Sequence, residues 1–168
     1  KVFGIYLATM MIPNTVTMVP NYIILRSLGL LDTYTGLILP YLGKAFSVFL
    51  MRQSMLGVND AYLESAFLDG ASLYRVFWKI MLPMVTPTLA TLTLISFMGS
   101  WNSYLWPKII FQNNASITMP MLVANLKSGY SVDYGMLMLG VLICTLPTAI
   151  IFLCLQKSFA NGITGAVK

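Results

Sequence analysis

Long apolar stretches separated by short polar segments dominate this chain of 168 residues. Four stretches are long enough to cross a bilayer, since one helical crossing takes about 20 apolar residues. They cover residues 2–25, 34–50, 84–106 and 134–155. Each crossing must be helical, because lipid offers a backbone no hydrogen-bond partners. The pattern therefore predicts an all-α, polytopic membrane protein with about four transmembrane helices.

The composition agrees with a membrane protein and argues against other classes. Hydrophobic residues make up 58% of the chain and charged residues 9%, whereas a soluble domain has about a quarter of its residues charged. The net charge of +5 comes from scattered cations without a basic stripe, which argues against nucleic acid. The chain has no histidine, and Cys144 and Cys154 are too far apart on one helix for a disulfide. We therefore predict no catalytic residue, no metal site and no cofactor.

The distribution of cations predicts an orientation in the membrane. If the chain starts in the cytoplasm, the cytoplasmic side receives Lys1, Arg52, Arg75, Lys79, Lys157 and Lys168. The outer side then receives Arg26, Lys108 and Lys127. This excess follows the positive-inside tendency of membrane proteins. It places the polar segment 59–83 on the cytoplasmic side.

Segment 59–83 carries the end signals of two short helices. Asn59 is a good N-cap for the first helix, and Gly70 is suited to end it because glycine adopts left-handed geometry at little cost. A second helix is expected after Ser72, and Pro83 should interrupt it. We expect the apolar side of this second helix to carry Leu73, Val76, Phe77 and Ile80.

The same segment contains a set of residues at a recognisable spacing. Glu64-Ser65-Ala66 is followed after three residues by Gly70, and after nine more by Ile80-x-Leu82-Pro83. This resembles the EAA loop of ABC importer permeases, E-A-A-x3-G-x9-I-x-L-P, with Ser65 in place of the first alanine. The alternative is an ordinary amphipathic segment at the lipid surface. The resemblance implies a coupling helix that docks into an ATPase, formed by Glu64, Ser65, Ala66, Asp69, Gly70, Ala71, Ile80, Leu82 and Pro83.

The resemblance extends over nearly the whole chain. Residues 30–40, 49–53 and 69–72, the pairs Trp101-Asn102 and Trp106-Pro107, and the tail 156–168 are similar to carbohydrate-type permeases. It implies the transmembrane domain of a type I ABC importer, with six helices and the coupling loop between the fourth and fifth. We therefore expect 1–168 to be one partial domain that lacks the first two helices, with 59–83 as its coupling loop. Asn59 stands where the family usually has proline.

The resemblance also implies function, partners and location. The chain would be a permease subunit of an ATP-driven importer for a sugar or sugar-like solute. Its partners would be separate ABC ATPase subunits, a second homologous permease, an extracytoplasmic solute-binding protein and membrane lipid. Its location would be the bacterial or archaeal cytoplasmic (inner) membrane, which it would cross several times.

Polar side chains within the apolar stretches are candidates for a substrate path, because they are costly to expose to lipid. Amide and hydroxyl groups beside aromatic rings match the chemistry of sugars. The candidates are Asn14, Asn21, Lys44, Ser100, Trp101, Asn102 and Tyr104. The alternative is that these groups join helices to one another. Lys44 could also extend to the headgroups or pair with the partner permease.

Rival functions remain open. An ion-gradient-driven secondary transporter or channel would predict acidic relays within the membrane. The acidic residues instead fall outside the four stretches, at Asp32, Asp60, Glu64, Asp69 and Asp133. A membrane scaffold without transport activity would not need a loop of fixed spacing, and a membrane enzyme would need a constellation of catalytic groups that is absent from the sequence.

Overall fold

The structure is a computed structural model that describes residues 2–113, 116–127 and 132–165, and over 157–165 the backbone alone. Every regular element in these ranges is helical, so the all-α prediction is confirmed there. The helices are α1 (Val2–Ala8), α2 (Asn14–Ser27), α3 (Tyr34–Ile38), α4 (Ala45–Leu56), α5 (Asp60–Leu68), α6 (Leu73–Val76), α7 (Leu82–Met84), α8 (Thr86–Trp101), α9 (Leu105–Ile110), α10 (Met119–Leu126) and α11 (Tyr134–Gly165). Short 3₁₀ segments follow α1 at Thr9–Met11 and α3 at Leu39–Tyr41, and a π-helical segment, Phe77–Met81, joins α6 to α7.

One unbroken helix in the described part of the chain, Tyr134–Gln156, is long and apolar enough to cross a membrane. The number rises to four if each of three bent helix pairs forms a single span. The bent pairs are Val2–Met11 with Asn14–Ser27, Tyr34–Tyr41 with Ala45–Leu56, and Leu73–Met84 with Thr86–Trp101. The predicted count of about four therefore holds only when a bent pair is counted as one span.

The expectation of one helix over residues 2–25 is wrong. The two arms of this stretch meet at 103°. Ile12 is extended at φ −83° and ψ 118°, and Pro13 caps α2 with φ −60° and ψ 136°. A residue before proline is sterically disfavoured in the α conformation, which accounts for the break. Pro20 lies within α2 and does not end it.

The second stretch is also broken, and this changes the place of Lys44. Its arms are bent by 45°, and Lys44 lies in the break as the N-cap of α4, at φ −63° and ψ 121°. We expected Lys44 inside a helical span, and the structure corrects this. The hydroxyl of Tyr6 on α1 donates to the carbonyl oxygen of Gly43 at 2.6 Å, which gives the non-helical backbone at the break a hydrogen-bond partner.

The buried core is small, and the long helices pack against one another in pairs. α11 packs against α8 and α10, and α4 packs against α8. Leu25, Trp106, Ile110 and Phe111 form the buried cluster, between α2, α9 and the turn before α3. Only 6% of the α11 window Tyr134–Gln156 is buried. The side of that apolar helix that faces away from α8 and α10 is therefore available to lipid or to another chain.

Candidate functional site

The coupling loop, residues 59–83, begins with helix α5, whose two ends are built by local contacts. The side-chain oxygen of Asn59 accepts a hydrogen bond from the Ala61 N–H at 3.0 Å. At the other end, Gly70 has φ +76°. The N–H groups of Gly70 and Ala71 donate to the carbonyl oxygens of Phe67 and Ala66, each at 3.0 Å. This is a Schellman ending, and both predicted ends of the helix are confirmed.

Helix α6 starts where the sequence predicts, but one of its apolar residues points elsewhere. The Ser72 hydroxyl accepts a hydrogen bond from the Arg75 N–H at 3.4 Å, and Val76 is 1% exposed. Leu73, which we expected on the same apolar side, is 73% exposed. The π-helical segment Phe77–Met81 follows Val76, and Ile80 within it is half-buried.

The predicted coupling residues lie mostly on the surface of this loop. Glu64, Ser65, Asp69, Gly70 and Pro83 are exposed, Ala71, Ile80 and Leu82 are half-buried, and Ala66 is buried. Large apolar side chains are exposed around them, namely Tyr62, Phe67, Leu68, Leu73, Tyr74 and Trp78. Contiguous exposed apolar groups between polar ones are typical of a surface that another chain covers. No contact with an ATPase is tested by this structure, so the coupling roles stay predictions.

Two cavities meet at the break between α3 and α4. The first, about 440 Å³, lies between this break and α8, and we call it the serine cavity because four serines line it. The second, about 660 Å³, lies between the break and α2, and we call it the asparagine cavity. Tyr41, Lys44, Gly99 and Trp106 line both cavities. Lys44 is the charged residue common to the two.

The Lys44 ammonium group lies over the ring of Tyr41. Its Nζ lies 4.9 Å from the ring centroid of Tyr41. The rings of Tyr41 and Trp106 pack edge to face at 6.1 Å, and the Trp106 Nε1–H donates to the carbonyl oxygen of Leu37 at 3.2 Å. In the part of the chain that the structure describes, Lys44 forms no ion pair with a carboxylate. Its ammonium group is therefore free to meet an anion from outside the chain.

Four of the seven predicted path residues border these two cavities. Asn14 and Asn21 line the asparagine cavity, Ser100 lines the serine cavity, and Lys44 lines both. The structure therefore brings together residues that stand up to 86 positions apart, as the numbers of Asn14 and Ser100 show. Their role in binding a substrate stays a prediction.

The other three predicted path residues lie elsewhere. The Trp101 Nε1–H donates to the carbonyl oxygen of Cys144 at 2.8 Å and so links α8 to α11. Asn102 and Tyr104 line a third cavity of about 470 Å³ next to α10 and α11. The Asn102 amide donates to the Met98 carbonyl oxygen at 3.0 Å. The alternative interpretation, a polar group that joins helices, therefore describes Trp101 best.

Sequence reasoning missed several residues of the serine cavity, among them Tyr41, Ser47, Ser96 and Thr118. A signal for some of them was present. Ser96 and Ser100 are four positions apart, which places them on one side of α8, and Ser103 follows shortly after this helix ends. Ser47 and Thr118 come from distant segments, so spacing along the chain could not place them there.

Comparison with known proteins identifies the family. The model of the family described as "Binding-protein-dependent transport system inner membrane component" matches residues 2–165, so the chain belongs to this family. The chain is 35% identical over 168 residues to the lactose transport system permease protein LacG of Rhizobium radiobacter, covering 100% of this chain and 62% of that protein. It is 38% identical to the arabinooligosaccharides transport system permease protein AraQ of Bacillus subtilis (strain 168), covering 99% and 60%.

A further relative and a solved structure are associated with other substrates. The sn-glycerol-3-phosphate transport system permease protein UgpE of Yersinia pestis is 35% identical, with coverage of 99% and 60%. Among solved structures, the chain matches the crystal structure of a bacterial ABC transporter involved in the import of the acidic polysaccharide alginate. The TM-score is 0.77 and the identity 28%, over 95% of this chain and 61% of that one. The resemblance to ABC importer permeases and their helical fold is thus confirmed, and the chain spans about 60% of the length of these relatives.

Proposed function

We propose that this chain is part of the permease subunit of an ATP-driven ABC importer, which moves a sugar or sugar-like solute across the cytoplasmic membrane. The coupling loop carries this proposal. It combines the EAA spacing with a helix that ends at Gly70 and with exposed apolar side chains such as Leu68, 89% exposed. The family match over residues 2–165 supports it.

The proposed mechanism divides the work among several chains. Separate ATPase subunits hydrolyse ATP and receive the coupling loop, a second homologous permease completes the path, and an extracytoplasmic protein delivers the solute. Closure of the ATPase subunits would move α5 and α6 together and so switch the path between its two orientations. The chain itself makes and breaks no covalent bond in this scheme.

The place of the acidic side chains favours this proposal over an ion-gradient-driven transporter. Asp60, Glu64 and Asp69 are exposed in the coupling loop. Asp133 accepts a hydrogen bond from the Met136 N–H at the start of α11, at 3.1 Å. Asp32 accepts hydrogen bonds from backbone N–H groups after α9. In the described ranges, no carboxylate lies in the middle of a span, where a proton relay would need one.

The solute class rests on the relatives and on the cavities. The names of the relatives refer to lactose, arabinooligosaccharides, sn-glycerol-3-phosphate and alginate, which are all rich in hydroxyl groups. The serine and asparagine cavities offer hydroxyl, amide and aromatic groups, which bind such molecules through hydrogen bonds and stacking.

The test is whether the full-length subunit retains its ATPase through this loop. The ATPase should co-purify with the wild type, and should be lost from Leu68→Asp and Glu64→Lys. A matched control is Leu28→Asp, since Leu28 is 60% exposed but lies before α3, at the other end of the α3–α4 segment. Equal retention by all four proteins would contradict the proposal.

A second measurement addresses the energy source. Uptake into vesicles that contain the complete complex should require ATP hydrolysis and the binding protein. Uptake that continues without ATP and collapses with the proton gradient would support the ion-driven transporter instead.

A further inference from the structure

The serine cavity contains hydroxyl groups that lack partners. Some hydroxyl groups elsewhere in the helices bond to the backbone of their own turn, as Thr91 does to the Pro87 carbonyl oxygen at 3.0 Å and Thr145 to that of Val141 at 2.9 Å. The cavity serines differ. Within the described residues, no side-chain hydrogen bond is formed by Ser47, Ser96, Ser100 or Ser103.

A fifth hydroxyl in this cavity is buried as well as unpartnered. The Oγ1 atom of Thr118 is inaccessible to solvent and has no hydrogen-bond partner in the described chain. Buried polar groups in proteins are nearly always hydrogen-bonded, so an unpaired one calls for an explanation. A polar ligand in the cavity provides one.

The asparagine cavity serves as an internal comparison. It shares Lys44 with the serine cavity, but its own threonines are satisfied. The Thr9 hydroxyl donates to the carbonyl oxygen of Tyr6 at 2.6 Å, and the Thr17 hydroxyl donates to that of Asn14 at 3.0 Å. The asparagine cavity therefore lacks the unpartnered hydroxyl groups of the serine cavity, whereas the third cavity has one, the buried Oγ1 of Thr148.

The charge in the serine cavity has one sign. Among the described residues that line it, Lys44 alone is charged, and these residues include no aspartate or glutamate. Its Nζ rests over the face of Tyr41 at 4.9 Å from the ring centroid. An ammonium group in a cleft without carboxylates concentrates anions, and low-dielectric walls such as the Trp106 ring strengthen this field.

We propose that the serine cavity is a solute site of this subunit, and that it takes a sugar bearing an anionic group. This deepens the proposed function and rests on it. The Lys44 ammonium would pair with the anionic group, and the hydroxyls of Ser47, Ser96 and Ser100 would bond to sugar hydroxyls. Tyr41 and Trp106 would supply apolar faces. The volume of about 440 Å³ lies within the usual range for small-molecule sites, about 300–1,000 Å³.

The test measures charge selectivity in the cavity of the full-length subunit, assembled with its partner permease and ATPase in lipid vesicles. The chain's two cysteines are replaced, as Cys144→Ala and Cys154→Ala, and the other subunits are made cysteine-free. Ser100→Cys then reports on the serine cavity, and Thr145→Cys reports on the third cavity as a matched control. The rates of modification by an anionic and a cationic methanethiosulfonate reagent are compared.

The Lys44→Met substitution should lower the ratio of the anionic to the cationic modification rate at Ser100→Cys about tenfold. Loss of the positive charge slows the anionic reagent and speeds the cationic one. The ratio should be unchanged in Lys44→Arg and at Thr145→Cys. Galacturonate should protect Ser100→Cys from modification more strongly than galactose, and this difference should vanish in Lys44→Met.

Three outcomes would overturn the proposal. The first is that neither reagent modifies the Ser100→Cys thiol, with or without ATP. The second is that Lys44→Met leaves the ratio of anionic to cationic rates unchanged, and the third is that galacturonate and galactose protect the thiol equally or not at all. Retention of the ATPase is measured on the same preparations. Failure of the importer function would appear there as loss of the ATPase from the wild type, independently of the result at Ser100→Cys.

Discussion

The two ends of the α3–α4 segment are stabilised in different ways. Before α3, Asp32 adopts φ +56°, and its Oδ1 accepts hydrogen bonds from the N–H groups of Gln112 at 2.6 Å and Asn113 at 2.9 Å. Trp106 and Ile110 are buried beside it, 3% and 0% exposed. This end is joined by contacts between residues that stand about 80 positions apart.

After α4, the coupling loop is stabilised mainly by hydrogen bonds between residues close in sequence. The caps of α5 and α6 join residues two to five positions apart, and Phe67, Leu68 and Trp78 stay 48%, 89% and 51% exposed. A segment with local hydrogen bonds and few buried apolar contacts is expected to be the less stable part of a fold.

The comparison separates a scaffold from a docking element. At the Asp32 end, contacts within the chain bury Trp106 and Phe111. At the coupling end, the exposed aromatic residues are available to a partner, and their contribution to stability should appear only in the assembled complex. Paired substitutions at the two ends therefore test this distinction.

The largest difference is expected between two tryptophans. Trp106→Ala removes a buried ring, its edge-to-face contact with Tyr41 and a hydrogen bond to Leu37, so it should destabilise the full-length subunit by about 3–5 kcal/mol. Trp78→Ala, at the exposed ring, should leave the thermal midpoint of the isolated subunit unchanged while it weakens ATPase retention. Equal loss of stability in both variants would contradict the distinction.

The next largest effect is expected at Asp32. Asp32→Ala removes the acceptor of two backbone N–H groups and places alanine at positive φ, for a cost of about 1–3 kcal/mol. Hydrogen exchange at the Gln112 and Asn113 amides should accelerate. Asp32→Asn, which keeps an acceptor oxygen and tolerates this φ, should retain most of the protection. Asp69→Ala in the coupling loop should change the global stability by less than about 0.5 kcal/mol.

A smaller and local effect is expected at Gly70. No atom lies within 4 Å of where a Cβ would stand, so a side chain meets open space and only the backbone at φ +76° resists it. Gly70→Val should therefore strain the end of α5 by about 1–2 kcal/mol, whereas asparagine adopts this φ more easily. ATPase retention should fall in Gly70→Val and persist in Gly70→Asn, with both variants inserted in the membrane. Loss in both variants would show that the added side chain, and not the backbone, blocks docking.

The same contrast explains what the sequence could predict. The caps at Asn59, Gly70 and Ser72 depend on residues a few positions away, and all three were predicted correctly. The Asp32 contacts depend on residues about 80 positions away, and they were not predicted. Sequence patterns predict local geometry such as helix caps, whereas hydrogen bonds between distant residues depend on how whole helices pack.

The breaks within the spans show a second limit. Apolar length alone predicted continuous helices over residues 2–25 and 34–50, because hydropathy does not register backbone geometry. Pro13 gave a usable signal for the first break, since proline biases the residue before it toward extended backbone. For the candidate path, composition identified Lys44 and Ser100, but only packing brings Ser47 and Thr118 to the same cavity.

The smallest effect is expected at the start of α5, and it tests whether the coupling loop is stabilised locally. Asn59→Ala removes the side-chain acceptor of the Ala61 N–H and should cost about 1 kcal/mol. Asn59→Asp keeps an acceptor and should be neutral. Because the bond joins residues two positions apart, hydrogen exchange should accelerate in the first turn of α5 alone, and protection at Gln112 should stay as in the wild type. If protection at Gln112 also falls, the coupling loop and the Asp32 end open as one unit, and the loop is part of the scaffold.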